Sequence, residues 1–268
     1  MPLGWLAHVV NGHRVCHRVV CVWCRTADRS SLSRQALAYS AFRTPIASPS
    51  DISVSLSYRF PHGAFPIAPV VAGTLMQTLF PHMMIYSVAA SVVFYIPFWR
   101  HFITWIGSVP ATSQNFKRLL KKGSVAVVVG GIAEMYMGHP HRERIKLKGR
   151  RGFAKIALEE QVDGIVCVYY FGQSQVLSFG PAWLAGVSRR LRTSFGYLTG
   201  WMGLPVPKPL PIYMVNGRPI PVPKVPRDSP DFDKEVDKLL DACIKELGEM
   251  YDRHRAEYGW SNRPLSIE

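Results

Sequence analysis

Three stretches decide the fold: Ser124-Val-Ala-Val-Val-Val-Gly-Gly-Ile-Ala-Glu134, Gly149-Arg-Arg-Gly-Phe-Ala-Lys-Ile-Ala-Leu158 and Ile165-Val-Cys-Val-Tyr-Tyr-Phe-Gly-Gln173. The first is a charge-free, β-branched run that stops at a glycine pair and a carboxylate. The second places apolar residues at helical spacing among Arg and Lys, and the third is again an apolar, β-branched and aromatic run. Strand, helix, strand in that order favours a parallel or mixed sheet covered by helices. Working outward, residues 85–94 and 212–215 supply further strand candidates. Residues 99–106, 113–121, 151–161 and 181–192 read as helices. The alternation predicts an α/β fold, a mixed and largely parallel central sheet flanked by helices in a single domain.

The C-terminal quarter has its own signals. Asn216-Gly217 inside residues 213–222 is a hairpin turn signal. Ser229-Pro230 followed by Asp231, Asp233 and Glu235 marks a helix N-terminus. Val236, Leu239, Leu240, Cys243, Leu247, Met250 and Tyr251 then recur at helical spacing, which predicts a packing helix without chemistry.

A net charge of +14 is unevenly placed: +5 over residues 1–59, +1 over 60–115, +9 over 116–200 and −1 over 201–268. A basic region attracts nucleic acid, an anionic membrane surface or a polyphosphate ligand, or is simply a solvated face. No nucleic-acid-binding motif accompanies the charge, so nucleic acid is set aside as a partner. Residues 60–99 hold no acid or base except His62 and His82. The run is long enough for a bilayer, but Pro61, Pro66, Pro69, Pro81 and Pro97 break it. It predicts a segment of about 64–99 that dips into or lies against a membrane, or else an ordinary buried strand and helix around 83–95.

Residues 1–57 differ in texture. Their bases are all Arg, their apolar bursts are too short to cross a membrane, and Thr44-Pro-Ile-Ala-Ser-Pro-Ser50 has linker composition. An atypical segment with little stable structure is predicted, from an organelle transit peptide or a misplaced gene start. The five cysteines predict reduced thiols. His13, Cys16, His17, Cys21 and Cys24 match no common zinc spacing, so no metal is expected.

Three features carry chemistry. His62, between Pro61 and Gly63, titrates near neutrality and suits a general base, or is a turn residue. Gly130-Gly131 permits close backbone approach to an oxyanion or phosphate, and Glu134 beyond it either orients His62, binds an acceptor hydroxyl or is a surface residue at a strand end. Arg142, Arg144, Lys146, Lys148, Arg150, Arg151 and Lys155 place seven bases within fourteen residues. Arg forks suit phosphate oxygens, and Arg151 and Lys155 share a helix face.

Phe60-Pro-His-Gly63, Phe94-Tyr-Ile-Pro-Phe-Trp-Arg100, Gly130-Gly-Ile-Ala-Glu134, Arg151-Gly-Phe-Ala-Lys-Ile-Ala, Phe171-Gly-Gln173 and Glu257-Tyr-Gly-Trp260, in that order, resemble the type-2 diacylglycerol acyltransferase family, which also holds monoacylglycerol and wax-alcohol acyltransferases. The resemblance covers about residues 58–268 and implies one acyltransferase domain there, with a sheet like that of glycerol-phosphate acyltransferases. Phe60 replaces the first His of the animal motif, as in plant members. Val129 stands where the family has Pro, and Ile67 stands where related glycerol-phosphate enzymes have their Asp. Membrane helices usual ahead of the histidine motif are not found in residues 1–57.

What the resemblance implies is direct acyl transfer from acyl-CoA, a co-substrate, to the free hydroxyl of diacylglycerol, with no other cofactor and no covalent enzyme intermediate. A monoacylglycerol or long-chain alcohol acceptor, or a non-catalytic binding protein, remains open. His62 and Glu134 are then the catalytic residues. Pro61, Gly63, Gly130, Gly131, Arg150, Arg151, Lys155, Phe171, Gly172 and Gln173 bind substrate. Membrane lipid is the further partner and a homo-oligomer is open. The implied address is the cytosolic face of the endoplasmic reticulum membrane, with the lipid droplet as a second.

Overall fold

The computed structural model describes residues 6–10, 13–17, 55–79, 84–191 and 194–268. The chain divides into two units, residues 1–40 and 41–268. In the first, Leu6–Val10 pairs antiparallel with His13–His17. Most of the N-terminal segment, including Cys21 and Cys24 and the linker at 44–50, lies outside the described residues.

The second unit is built on six main strands: β1 Ser55–Phe60, β2 Ile85–Ala89, β3 Ser108–Pro110, β4 Ser124–Val128, β5 Gly164–Phe171 and β6 Tyr213–Asn216. Their order is β6-β5-β1-β4-β2-β3, parallel throughout except for antiparallel β6 at one edge. The expected mixed, mostly parallel sheet is therefore present. Its central strand, β1, was not among the sequence candidates. Ser-Leu-Ser-Tyr-Arg-Phe alternates instead of running apolar, and it starts three residues ahead of the expected boundary at 57/58. The second unexpected strand, β3, is only three residues long.

Alternation along β1 and β5 creates two unlike faces. Leu56, Tyr58 and Phe60, with Cys167, Tyr169 and Phe171, face a core filled by three helices. Helix α3, Ser113–Leu120, supplies Phe116, Leu119 and Leu120, and Thr112 caps it by accepting from the Asn115 N–H at 3.2 Å. Helix α5, Gly152–Glu159, supplies Phe153, Ala154, Ala157 and Leu158. The long helix α8, Phe232–His254, buries every apolar residue that its periodicity singled out. On the other face, Val168 and Tyr170 meet Ala68 and Ala72 of α1, Ile67–Leu79.

Two expectations need correction. Asn216-Gly217 does not close a hairpin. Tyr213–Asn216 and Ile220–Pro221 both pair with β5, and the Gly217 N–H donates to Cys167 O at 2.7 Å. Pro219 and Pro221 lack the N–H donors that a back-folded partner would need, so the chain bulges and rejoins the same edge. Residues 85–94 are not one strand. The strand stops at Ala89 and a 3-10 helix, Ser91–Tyr95, follows. Of the predicted membrane segment, α1 is partly core, and its 13 residues reach only about 20 Å at 1.5 Å per residue, against about 30 Å of hydrocarbon. Among the described residues no helix is long and apolar enough to cross a membrane.

Candidate active site

The C-terminal ends of β1, β4 and β5 converge on one loop cluster, where parallel sheets place their sites. His62 follows β1 directly. Its Nδ1 lies 2.9 Å from Gly63 O. A carbonyl only accepts, so this contact fixes the proton on Nδ1 and leaves Nε2 as the basic nitrogen. Burial lowers the His62 pKa, opposed by the bond to Gly63 O, so the ring is neutral near pH 7. Pro61 and Gly63 are buried on either side.

Glu134 sits in the short helix Ile132–Met135 that follows the glycine pair. It is only 3% exposed. Its Oε2 accepts the His62 backbone N–H at 2.7 Å and its Oε1 accepts the Lys146 N–H at 2.9 Å. Burial raises its pKa to about 7 against the pull of these two bonds and of Arg150. The carboxylate thus fixes the main chain of the histidine loop and does not hold the imidazole. It lies below the cavity described next and does not line it. Gly130 is required by this packing, since a Cβ there would fall 2.1 Å from the Glu134 carboxyl carbon. Arg150 closes the arrangement by donating to Gly130 O at 3.1 Å.

Gln173 is the second anchor of the loop, and its role was not foreseen. It accepts the Ala68 N–H at 2.9 Å and donates to Phe65 O at 2.5 Å and His62 O at 3.3 Å. Its neighbour Phe171 is a core residue, ringed by Tyr169, Tyr213, Tyr251, Tyr258 and Trp260 at centroid distances of 4.7–5.9 Å. Gly172, at φ +88°, leaves room for Tyr258, whose hydroxyl donates to Pro211 O at 2.6 Å. The Phe171-Gly-Gln173 and Glu257-Tyr-Gly-Trp260 motifs therefore meet in one core. None of residues 171–173 lines the cavity; they pack in the core and hold the histidine loop from beneath.

His62, Gly130, Gly131, Arg150 and Arg151 border a cavity of about 2250 Å³. That exceeds the roughly 300–1,000 Å³ of ordinary small-ligand sites. Its walls are mainly apolar, from Ile85, Val88, Ile103, Phe116, Val127 and Ile156 among others. Two segments at its rim expose large apolar side chains. One follows β2 and includes Tyr95, Ile96, Phe102 and Phe98, the last 88% exposed. The other borders the cavity through Arg189, Ser194 and Leu198 and exposes Trp183, Tyr197, Trp201 and Met202 nearby in sequence. Its exposed aromatic residues were not foreseen: residues 181–192 read only as a helix, and the stretch beyond is broken by Gly and Pro.

The predicted phosphate-binding trio divides. Arg150 is exposed at the cavity. Arg151 also borders it but pairs with Asp237 at 2.7 Å and Asp233 at 3.3 Å in the first turns of α8. Lys155 is exposed on α5, outside the lining. Cys167 and Cys243 are buried against each other's elements, and burial helps raise the Cys167 pKa beyond the effect of Cys243, consistent with inert thiols.

The chain is 29% identical over 287 residues to diacylglycerol O-acyltransferase 2-like protein 6 of Bos taurus, covering 97% of this chain and 83% of that protein. It is 27% identical to 2-acylglycerol O-acyltransferase 1 of Mus musculus, over 74% of this chain and 64% of that protein. With diacylglycerol O-acyltransferase 2 of Danio rerio it shares 30% identity over 62% of this chain and 50% of that protein. No solved structure matches. The diacylglycerol acyltransferase family model matches residues 49–267, which takes in β1, the histidine loop, the glycine turn and α8, and the chain belongs to the type-2 branch of that family.

Proposed function

We propose that the protein esterifies the free hydroxyl of diacylglycerol with the acyl group of acyl-CoA, making triacylglycerol. The observation that carries this reading is a histidine, its Nδ1 held by Gly63 O and its Nε2 left as the basic nitrogen, set at the wall of a large, mainly apolar cavity whose rim exposes aromatic side chains. His62 Nε2 takes the hydroxyl proton as the alcohol oxygen attacks the thioester carbonyl. The resulting oxyanion is met by backbone N–H groups at Gly130-Gly131. Collapse breaks the C–S bond, and the CoA thiolate leaves with the proton held by His62. Acyl-CoA is a co-substrate and the step uses no other cofactor. Arg150 at the cavity serves the CoA phosphates, with Arg151 held in place by α8 behind it.

The two exposed apolar rims lie at the membrane interface in this reading, so the lipid enters the cavity without crossing water. The cytosolic face of the endoplasmic reticulum, or the lipid droplet, is the corresponding address. A monoacylglycerol acceptor is the second reading, favoured by the similarity to 2-acylglycerol O-acyltransferase 1.

The test is transfer from labelled oleoyl-CoA in membranes of cells without neutral-lipid synthesis, offered diacylglycerol, monoacylglycerol and hexadecanol. Labelled triacylglycerol that disappears in His62→Ala supports the proposal. Labelled diacylglycerol or wax ester would move the acceptor, and an unaffected His62→Ala variant would remove the general base. Carbonate extraction distinguishes an inserted rim from attachment by basic charge alone.

A further inference from the structure

Arg59, next to the end of β1, takes no part in the reaction proposed above. Alternation turns it away from the aromatic core side of Tyr58 and Phe60 and into the cavity wall, three residues before His62. It is only 5% exposed. Its Nη1 donates to Pro69 O at 3.1 Å, while its Nε is buried without a hydrogen-bond partner. Among the described residues no carboxylate is within ion-pair distance of it; the other buried arginine, Arg263, has Glu143 at 2.5 Å. The Tyr170 hydroxyl is buried beside it, where the guanidinium pulls the phenol pKa down against the larger upward push of burial, but a neutral phenol is no counter-anion.

A guanidinium has five donors, keeps its charge at any ordinary pH, and is costly to bury unless an anion meets it. Here the neighbours are Pro69, Gly73, the Tyr170 hydroxyl and the apolar cavity wall. The anion therefore comes with a ligand. The walls are mainly apolar, and the other arginines that border the cavity, Arg150, Arg151 and Arg189, are exposed where Arg59 is buried, so a ligand that reaches Arg59 has a long hydrocarbon portion and one acidic end.

We infer that Arg59 is an anion subsite inside the lipid cavity, its guanidinium taking the carboxylate or phosphate of a long-chain acidic lipid. The inference rests on the reading of the cavity as the lipid site, and not on turnover. A bound fatty acid would occupy it by its carboxylate. An acidic acyl acceptor or inhibitor would occupy it by its phosphate.

The experiment measures equilibrium binding of labelled oleate, 1-oleoyl-lysophosphatidate and monooleoylglycerol to the full chain in detergent at pH 7.4, for wild type, Arg59→Met and Arg59→Lys. At least one acidic lipid should bind about tenfold or more tightly than monooleoylglycerol. Arg59→Met should lose that margin while keeping monooleoylglycerol affinity, and Arg59→Lys should keep part of it. A margin for oleate alone assigns the carboxylate, and one for lysophosphatidate alone assigns the phosphate. Equal affinities in wild type, or an equal loss of all three ligands in Arg59→Met, would overturn the subsite. So would competition by CoA without an acyl chain. Should Arg59→Met fail to accumulate, the ligand-induced rise in wild-type Tm decides: a rise with acidic lipid no larger than with monooleoylglycerol overturns it. Because no transfer is read, an inactive protein that binds acidic lipid through Arg59 would refute the proposed reaction and leave the subsite standing.

Discussion

Glu134 and Glu143 are nine residues apart and almost equally hidden, at 3% and 1% exposure, yet they are held in opposite ways. Glu143 meets side chains: Arg263 at 2.5 Å, Ser174 at 2.8 Å and Tyr169 at 3.0 Å. Arg263 in turn donates to His139 O and Pro140 O and lies 4.6 Å over the Trp260 ring. Glu134 meets main chain, the N–H groups of His62 and Lys146. Burial raises the Glu143 pKa, but a guanidinium and two hydroxyls oppose it. Burial raises the Glu134 pKa with less to oppose it, to about 7. One carboxylate locks the C-terminal segment to the core; the other sets the height of the histidine loop. Charge neutralisation serves the permanent contact, and backbone hydrogen bonding serves the site.

The comparison can be broken at several points. The largest effect belongs to the residue that Glu134 positions. His62→Ala should lower kcat by about 10²–10⁴-fold with no loss of Tm, measured by acyl transfer and thermal unfolding of the same preparation. On the other side, Arg263→Met leaves Glu143 buried without its cation. It should cost about 3–5 kcal/mol of stability, while the protein that remains folded keeps its KM values. If Arg263→Met instead changed kcat as strongly as His62→Ala, the division of labour would be wrong.

Glu134→Gln sharpens the contrast. An amide cannot accept both backbone N–H groups, because its NH2 group donates, so the loop shifts. A displacement of about 1 Å costs up to about 10²-fold in rate. We expect kcat to fall with little change in KM. The same variant tests the pH linkage. Glu134 keeps its proton to about pH 7 in the folded chain but ionises near 4.5 when unfolded. The native state then binds more protons between those values, so its contribution to stability falls as pH rises through that window. Wild-type Tm minus Glu134→Gln Tm should decrease from pH 5 to 7.5; an increase would contradict the assignment.

The smallest effect is expected at the basic cluster. The Arg151 pairs are on the surface and worth about 0–1 kcal/mol each. Arg151→Ala should therefore change Tm little, and Arg150→Ala should raise the KM for acyl-CoA more than Arg151→Ala does.

How much of this was legible depends on the range of the interactions. β4, β5, α3, α5 and α8 were predictable because their apolar spacing is local and their burial follows from it. β1 was harder to read. The face it turns away from the core carries Ser57 and Arg59, and only its place between two apolar strands makes it central. Gly130-Gly131 and His62 were legible as a site, but sequence left Glu134 open as orienting His62, binding an acceptor hydroxyl or lying at the surface, and it is buried at the His62 N–H. Phe171, Gly172 and Gln173 were recognised as a motif and read as substrate contacts. Their partners, from Ala68 to Trp260, are far away in the chain, and no local pattern distinguishes a core anchor from a ligand contact.

Sequence by itself determined the α/β class, the packing helix at the C-terminus, the histidine loop and the glycine turn, because each rests on neighbours within a few residues. Only the tertiary structure decided which faces those elements turn to one another. It placed Glu134 and Gln173 beneath the histidine loop, tied Arg151 to α8 and left Arg59 without a counter-charge in the cavity. The physical reason is that hydrogen bonds and ion pairs depend on distances of about 3 Å between residues tens of positions apart, which the fold sets and a local run of residues does not.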